Sequence, residues 1–124
     1  MKTIKVSELS GAALDWAVAK CEGFTLYEDA MLNGITKRGA WLSGLSIDPN
    51  TWTPLAMFTP STDWAQGGPI IEQEGLYLCL KPLIGELDEK WMATDRHGQT
   101  TEYGPTLLIT AMRCYVASKL GDEV

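Results

Sequence analysis

Residues 104–121 read GPTLLITAMRCYVASKLG, and this segment restricts the fold more than any other. Gly104-Pro105 at its head, and Gly121 behind Lys119, mark the two ends of a helix. Between them Leu107, Leu108, Ile109, Ala111, Met112, Cys114, Tyr115, Val116 and Leu120 cover more than half the circumference. An ordinary surface helix shows one apolar stripe. A helix this apolar needs neighbours on two sides, so it is expected to be the central element. Thr110, Arg113 and Ala117 make up its narrow polar stripe.

A chain of 124 residues is the size of one domain, expected to span 1–124 and to hold a core without metal or disulfide. Near the start, KTIKV alternates and suits a short strand. Ser7 or Ser10 then caps a helix closed by Gly23. Ala13, Leu14, Ala17, Val18 and Cys21 gather on one face of it, and Trp16 lies about 150° from the middle of that stripe. Either a second element covers Trp16 or it is exposed. FTLY at 24–27, residues 40–42, and an edge strand within 52–58 limited by Pro54 follow as short strands, interrupted by Gly34, Gly39, Gly44 and the Asp48-Pro49-Asn50 turn. LYLCL at 76–80 reads as a buried strand, and 82–90 as a polar loop. Residues 91–94 and 100–103 form a hairpin around Asp95-Arg96-His97-Gly98-Gln99. The resulting fold class is α+β: two main helices on a small, mainly antiparallel sheet, with the apolar C-terminal helix at the centre.

Residues 61–76, STDWAQGGPIIEQEGL, hold three glycines, a proline and a tryptophan beside three carboxylates. Ser61 and Asp63 suit the start of one helical turn, ended by Gly67. Gly68-Pro69 then starts a second turn, ended by Gly75. Asp63-Trp64-Ala65 repeats Asp15-Trp16-Ala17, too short a match to define a repeat.

Several chemistries are disfavoured. Sixteen acids outnumber ten bases, for a net charge of −6, and the bases never cluster, which argues against nucleic acid. Cys21, Cys79 and Cys114 lack metal-site spacing, His97 stands alone, and no cofactor motif such as GxGxxG or GxxxxGK[ST] occurs. The cysteines are expected to be reduced and mostly buried, hence inert. Glu72 with Glu74, and Asp88 with Glu89, lack the disposition of general acid/base pairs. No apolar run reaches the length of a membrane span, and a cytoplasmic location is expected.

The segments LDWAVAKCEG, STDWAQGGPIIEQEG and GPTLLITAMRCYVASKLGDEV together resemble the phage NinX-like family of tailed phages and enterobacterial prophages. The resemblance covers about half the chain and leaves 24–60 and 76–103 unmatched. It implies an accessory protein acting inside the infected bacterial cell, and it implies no catalytic residues.

Two functional readings lead, with an enzyme third. The first is a non-enzymatic protein-interaction module for an unidentified host or phage protein, anchored by Trp16, since tryptophan is favoured at interfaces. The second is a small anionic-ligand site. There the amides of Gly67, Gly68 and Pro69's turn would hold the anion, Trp16 and Trp64 would wall it, and Arg113 would supply charge. Asp15 and Asp63 are candidate acceptors for a tryptophan indole or a helix-end N–H. Catalytic and metal-ligating residues are not assigned, no cofactor is expected, and the apolar excess allows a homodimer.

Overall fold

The structure is a computed structural model describing residues 4–27, 31, 38–42, 44–48, 51, 53–80 and 90–124. The expectations for Lys2, Gly34, the Pro49-Asn50 half of its turn, Trp52, and residues 82–89 with Asp88 and Glu89 lie outside them.

The described residues include three complete α-helices: α1 at Gly11–Cys21, α2 at Trp64–Glu74 and α3 at Leu107–Leu120. A 3-10 turn at Val6–Glu8 precedes them. One sheet has the order β1 (Thr25–Leu26), β2 (Ala40–Leu42), β3 (Leu45–Ile47), β4 (Pro54–Met57). The other has the order β5 (Tyr77–Leu80), β6 (Trp91–Thr94), β7 (Thr101–Gly104). Among the described residues only β1 and β2 pair in parallel. The α+β expectation holds, with two small sheets in place of one. Pro54 begins the outer strand β4, as its missing N–H requires. The described N-terminal residues 4–6 form no strand of either sheet: Ile4 exchanges two backbone bonds of 2.9 Å with Val124.

Helix α3 is the central element. It packs against α1, α2 and the β6–β7 hairpin. Ala111, Met112, Cys114 and Val116 are wholly buried. Ala111, Met112 and Val116 join Val6, Leu9, Leu14, Ala17, Val18 and Ile70 in one core. The expected polar stripe is buried too: Thr110 is 0% exposed and Arg113 5%. Close packing closes over it because its polar atoms find hydrogen-bond partners. Thr110 Oγ1 donates to Thr106 O at 2.6 Å, and Arg113 donates to two carbonyls described below. Helix α3 also begins later than Gly104-Pro105 suggested. Thr106 is its N-cap, accepting from the Ile109 N–H at 3.1 Å.

Two burial expectations fail. In α1, Leu14, Ala17 and Val18 are buried as the period demands, but Ala13 is exposed and Asp15 and Ala19 are buried instead. In β5, Tyr77 is 69% and Leu80 62% exposed, and Cys79 is exposed as well. Strand β5 is the outer strand of its sheet, and only Leu76 and Leu78 at this end reach the core.

The hairpin is as expected. Asp95 Oδ1 accepts from the N–H groups of Gln99 at 2.7 Å and Thr100 at 3.1 Å, and Gly98 takes φ +71°. The bond from the Thr100 N–H holds the Asp95 carboxyl below its usual range. Its hydrogen bonds close the turn.

Candidate functional site

The 61–75 segment is one helix, not two turns. Asp63 is the N-cap of α2, its Oδ1 accepting from Ala65 N–H at 3.0 Å. Gln66 locks that start: its Nε2 donates to Asp63 Oδ2 at 2.9 Å and Met57 O at 2.8 Å, and its Oε1 accepts from Thr59 N–H at 3.0 Å. Gly67 and Gly68 continue the helix, and Pro69 sits inside it. Proline leaves the Ala65 carbonyl without its helical donor. Ala65 and Pro69 are both exposed, so water can replace that donor. Gly68, lacking Cβ, also relieves the clash a residue before proline meets in a helix. Helix α2 ends at Gly75, φ +64°, a left-handed cap.

This geometry removes the anion turn at Gly67-Gly68-Pro69. The Gly67 N–H donates to Asp63 O at 2.9 Å, and the segment is helix interior, not a helix start. Gly67 answers a packing need instead. A Cβ there would lie 2.5 Å from Pro60 O and 2.6 Å from Leu108 Cδ2, so only glycine lets α2 sit against α3 this closely.

Arg113 does not join that segment. Its Nε donates to Leu9 O at 2.8 Å and an Nη to Tyr103 O at 2.8 Å, tying α3 to the N-terminal strap and to β7. It lies five residues past Leu108 and about 140° around the helix from it.

The two Asp-Trp pairs have different roles. Asp15 is 5% exposed and accepts from Ser61 N–H at 2.9 Å, joining α1 to the entry of α2. Burial pushes its carboxyl above the usual range, and its contacts with Ser61 pull the other way. The folded pKa is thus above the unfolded one. The favourable contribution of the retained proton is full below the unfolded value and is lost as pH rises through the folded value. Asp15→Asn, which keeps an acceptor and removes the charge, is expected to stabilise the protein more at pH 7 than at pH 4. Asp15→Ala strands the buried Ser61 N–H and should cost about 1–3 kcal/mol. Urea unfolding at both pH values checks both.

Trp16 is half-buried against the core, with Lys20 Nζ 4.9 Å from its ring centre. It is therefore no free anchor. Trp64 is the exposed member of the pair, at 54%. It stands beside a cleft of about 270 Å³ lined by Ser61, Thr62, Trp64, Thr106, Leu107, Leu108 and Ile109. The entry of α2 and the first turn of α3 meet there, and no lining side chain is charged. Sequence reading took Ser61 for a helix start without its Asp15 partner, and missed Gln66 and Thr106. Asp63 three residues before Gln66 was an available capping signal; the Asp15 partner of Ser61, 46 positions away, carries no local signature.

The thiols are divided. Burial pushes Cys21 and Cys114 up to about 12, leaving both inert as nucleophiles at neutral pH. Among the described residues no group of three or more His, Cys, Asp or Glu is placed to hold a metal ion. Among them, too, no helix is long and apolar enough to cross a membrane.

No curated protein matches the chain. A family model described as Bacteriophage P22, NinX matches residues 5–119, which takes in both regions left unmatched by the three motifs. The chain belongs to the bacteriophage P22 NinX family.

Proposed function

We propose that this phage protein is a non-enzymatic accessory module that binds a host or phage protein in the cytoplasm of the infected cell. The observation that supports the reading is Trp64, 54% exposed at the rim of an uncharged cleft between two helix starts. A large exposed indole beside an apolar concavity has the chemistry of an interface anchor. The anchor thus moves from Trp16 to Trp64. The inert thiols, and the bonds that occupy Asp15, Asp63 and Asp95, favour binding over catalysis.

Affinity purification of a tagged copy from infected cells tests this, with Trp64→Ala and Trp16→Ser beside it. A protein recovered with the parent and Trp16→Ser, and lost with Trp64→Ala, is the expected result. Equal recovery by Trp64→Ala, or no recovery from folded parent protein, overturns it. A second copy is the other partner to check by sedimentation, since the outer strand β5 exposes Tyr77, Cys79 and Leu80.

A further inference from the structure

We propose that β5 is the contact between two copies of this chain. The outer strand pairs antiparallel with the same strand of a second copy and joins two three-stranded sheets into one of six strands. This contact is separate from the cleft beside Trp64.

An open strand edge offers N–H and C=O groups to any other strand, and folded proteins blunt it with short length, proline, bulges or charge. Among the described residues three of the four outer strands are blunted in this way. Strand β1 is two residues long. Strand β4 starts with Pro54, and its register with β3 shifts between Ser46 and Ile47. Strand β7 carries Glu102, and its Tyr103 carbonyl accepts from Arg113. Strand β5 is different. It pairs residue for residue with β6 from Tyr77 to Leu80 and holds no charge, no proline and no bulge.

Side-chain exposure fits a missing neighbour strand. Successive residues of a strand alternate between faces, and paired residues share a face. Tyr77 and Cys79 therefore stand on one face, and Leu78 and Leu80 on the other, where Leu78 reaches the core. Tyr77 and Cys79 are exposed on the first face, and Leu80 is exposed on the second. A body lying on either face would leave one of these groups in water. A strand laid alongside β5 flanks all three residues.

The occupant follows from charge. At −6, two copies repel wherever their acids face each other. In register with Tyr77 and Cys79 on the same face are Met92, Thr94, Thr101 and Tyr103, so that face carries no charge across the sheet. Pairing β5 with itself brings two uncharged strands and two uncharged faces together under a two-fold axis normal to the sheet. Two registers keep three residues of β5 paired in each copy. One sets Cys79 opposite Cys79 and Leu78 opposite Leu80. The other sets Leu78 opposite Leu78 and Tyr77 opposite Cys79. The two Cys79 side chains then lie roughly 5 Å or roughly 7–8 Å apart.

The test is sedimentation of the full chain over a concentration series, with thiol crosslinking by a short bismaleimide. The parent is expected to dimerise and to crosslink, and Cys79→Ser to lose the crosslink. Cys79→Ser with Glu72→Cys, whose thiol would sit at an exposed position of α2, is expected to show collisional crosslinking only. Cys79→Lys and Leu80→Lys each place like charges near the two-fold axis and should weaken the dimer at least tenfold. Both positions are exposed, so both variants should keep the parent's thermal transition. Trp64→Ala should dimerise as the parent does. A monomer up to about 1 mM overturns the proposal. So does a dimer unchanged by both lysine variants. A dimer lost with Trp64→Ala and kept with Cys79→Lys overturns it and moves the contact to the cleft. A foreign protein that a monomeric chain loses with Cys79→Lys, but not with Trp64→Ala, overturns it in favour of a partner's strand on this edge. The parent's crosslink stands even if a lysine variant fails to fold.

Discussion

Replacing Met112 with aspartate is expected to abolish the folded state. Met112 is 0% exposed at the centre of α3, packed within the core shared with α1 and Ile70 of α2. A buried carboxylate without a partner avoids its charge by taking a proton, but it still loses the packing of the methionine. Truncating such a residue costs about 2–5 kcal/mol. An unsatisfied buried carboxyl adds about 1–3 kcal/mol. Domains of this kind have about 5–15 kcal/mol in total, so the variant is expected to lie at or beyond that limit. The far-UV signal should lose its cooperative thermal transition and the methyl NMR spectrum its dispersion. Met112→Leu, of similar volume, should cost less than about 1.5 kcal/mol. A cooperative transition for Met112→Asp near that of the parent would show that α3 is not the centre of the core.

The second large effect separates two adjacent glycines. Gly67→Ala puts a methyl group 2.5 Å from the Pro60 carbonyl and 2.6 Å from Leu108 Cδ2. The leucine can turn, but the backbone carbonyl cannot, so α2 must shift away from the Pro60 backbone that leads into it. Overpacking of this kind costs roughly 1–3 kcal/mol, even against the roughly 0.5–1 kcal/mol that alanine gains over glycine in a helix. At Gly68 nothing lies within 4 Å of the added carbon outside its chain neighbours. There the helical gain opposes the clash of a Cβ with the following proline ring, and the change should stay within about 1 kcal/mol. Urea midpoints of the two variants decide it. Equal midpoints would mean that α2 does not pack on the Pro60 carbonyl at this distance.

Much of the architecture was legible along the chain. The all-round apolar pattern of residues 107–120 announced a central helix, and α3 is that. Asp95, Gly98 and the flanking β-formers announced the hairpin, since turn chemistry is local. Pro54 at an outer strand follows from a missing N–H alone. The 61–75 segment was misread for the opposite reason. Glycine and proline punctuate most chains, but here the Asp63 cap, the Gln66 bonds and the contact with α3 carry the helix through them. Arg113 looked like a polar-stripe residue because its acceptors, Leu9 O and Tyr103 O, lie far off or behind a turn in sequence. The candidate site followed the same division. Both tryptophans were visible, but which one is covered depends on neighbours that periodicity cannot name.

The sequence by itself determined the elements whose causes are local: the central helix, the hairpin, the helix stops at Gly23 and Gly75, and the family that residues 5–119 match. Tertiary structure alone decided which faces are covered. It buried Asp15 through an amide 46 positions away, made Gly67 a contact surface, left Trp64 at a cleft, and exposed Tyr77 on an outer strand. The physical reason is that hydrogen bonds and backbone preferences act over a few residues, whereas burial depends on whatever segment arrives from elsewhere in the chain.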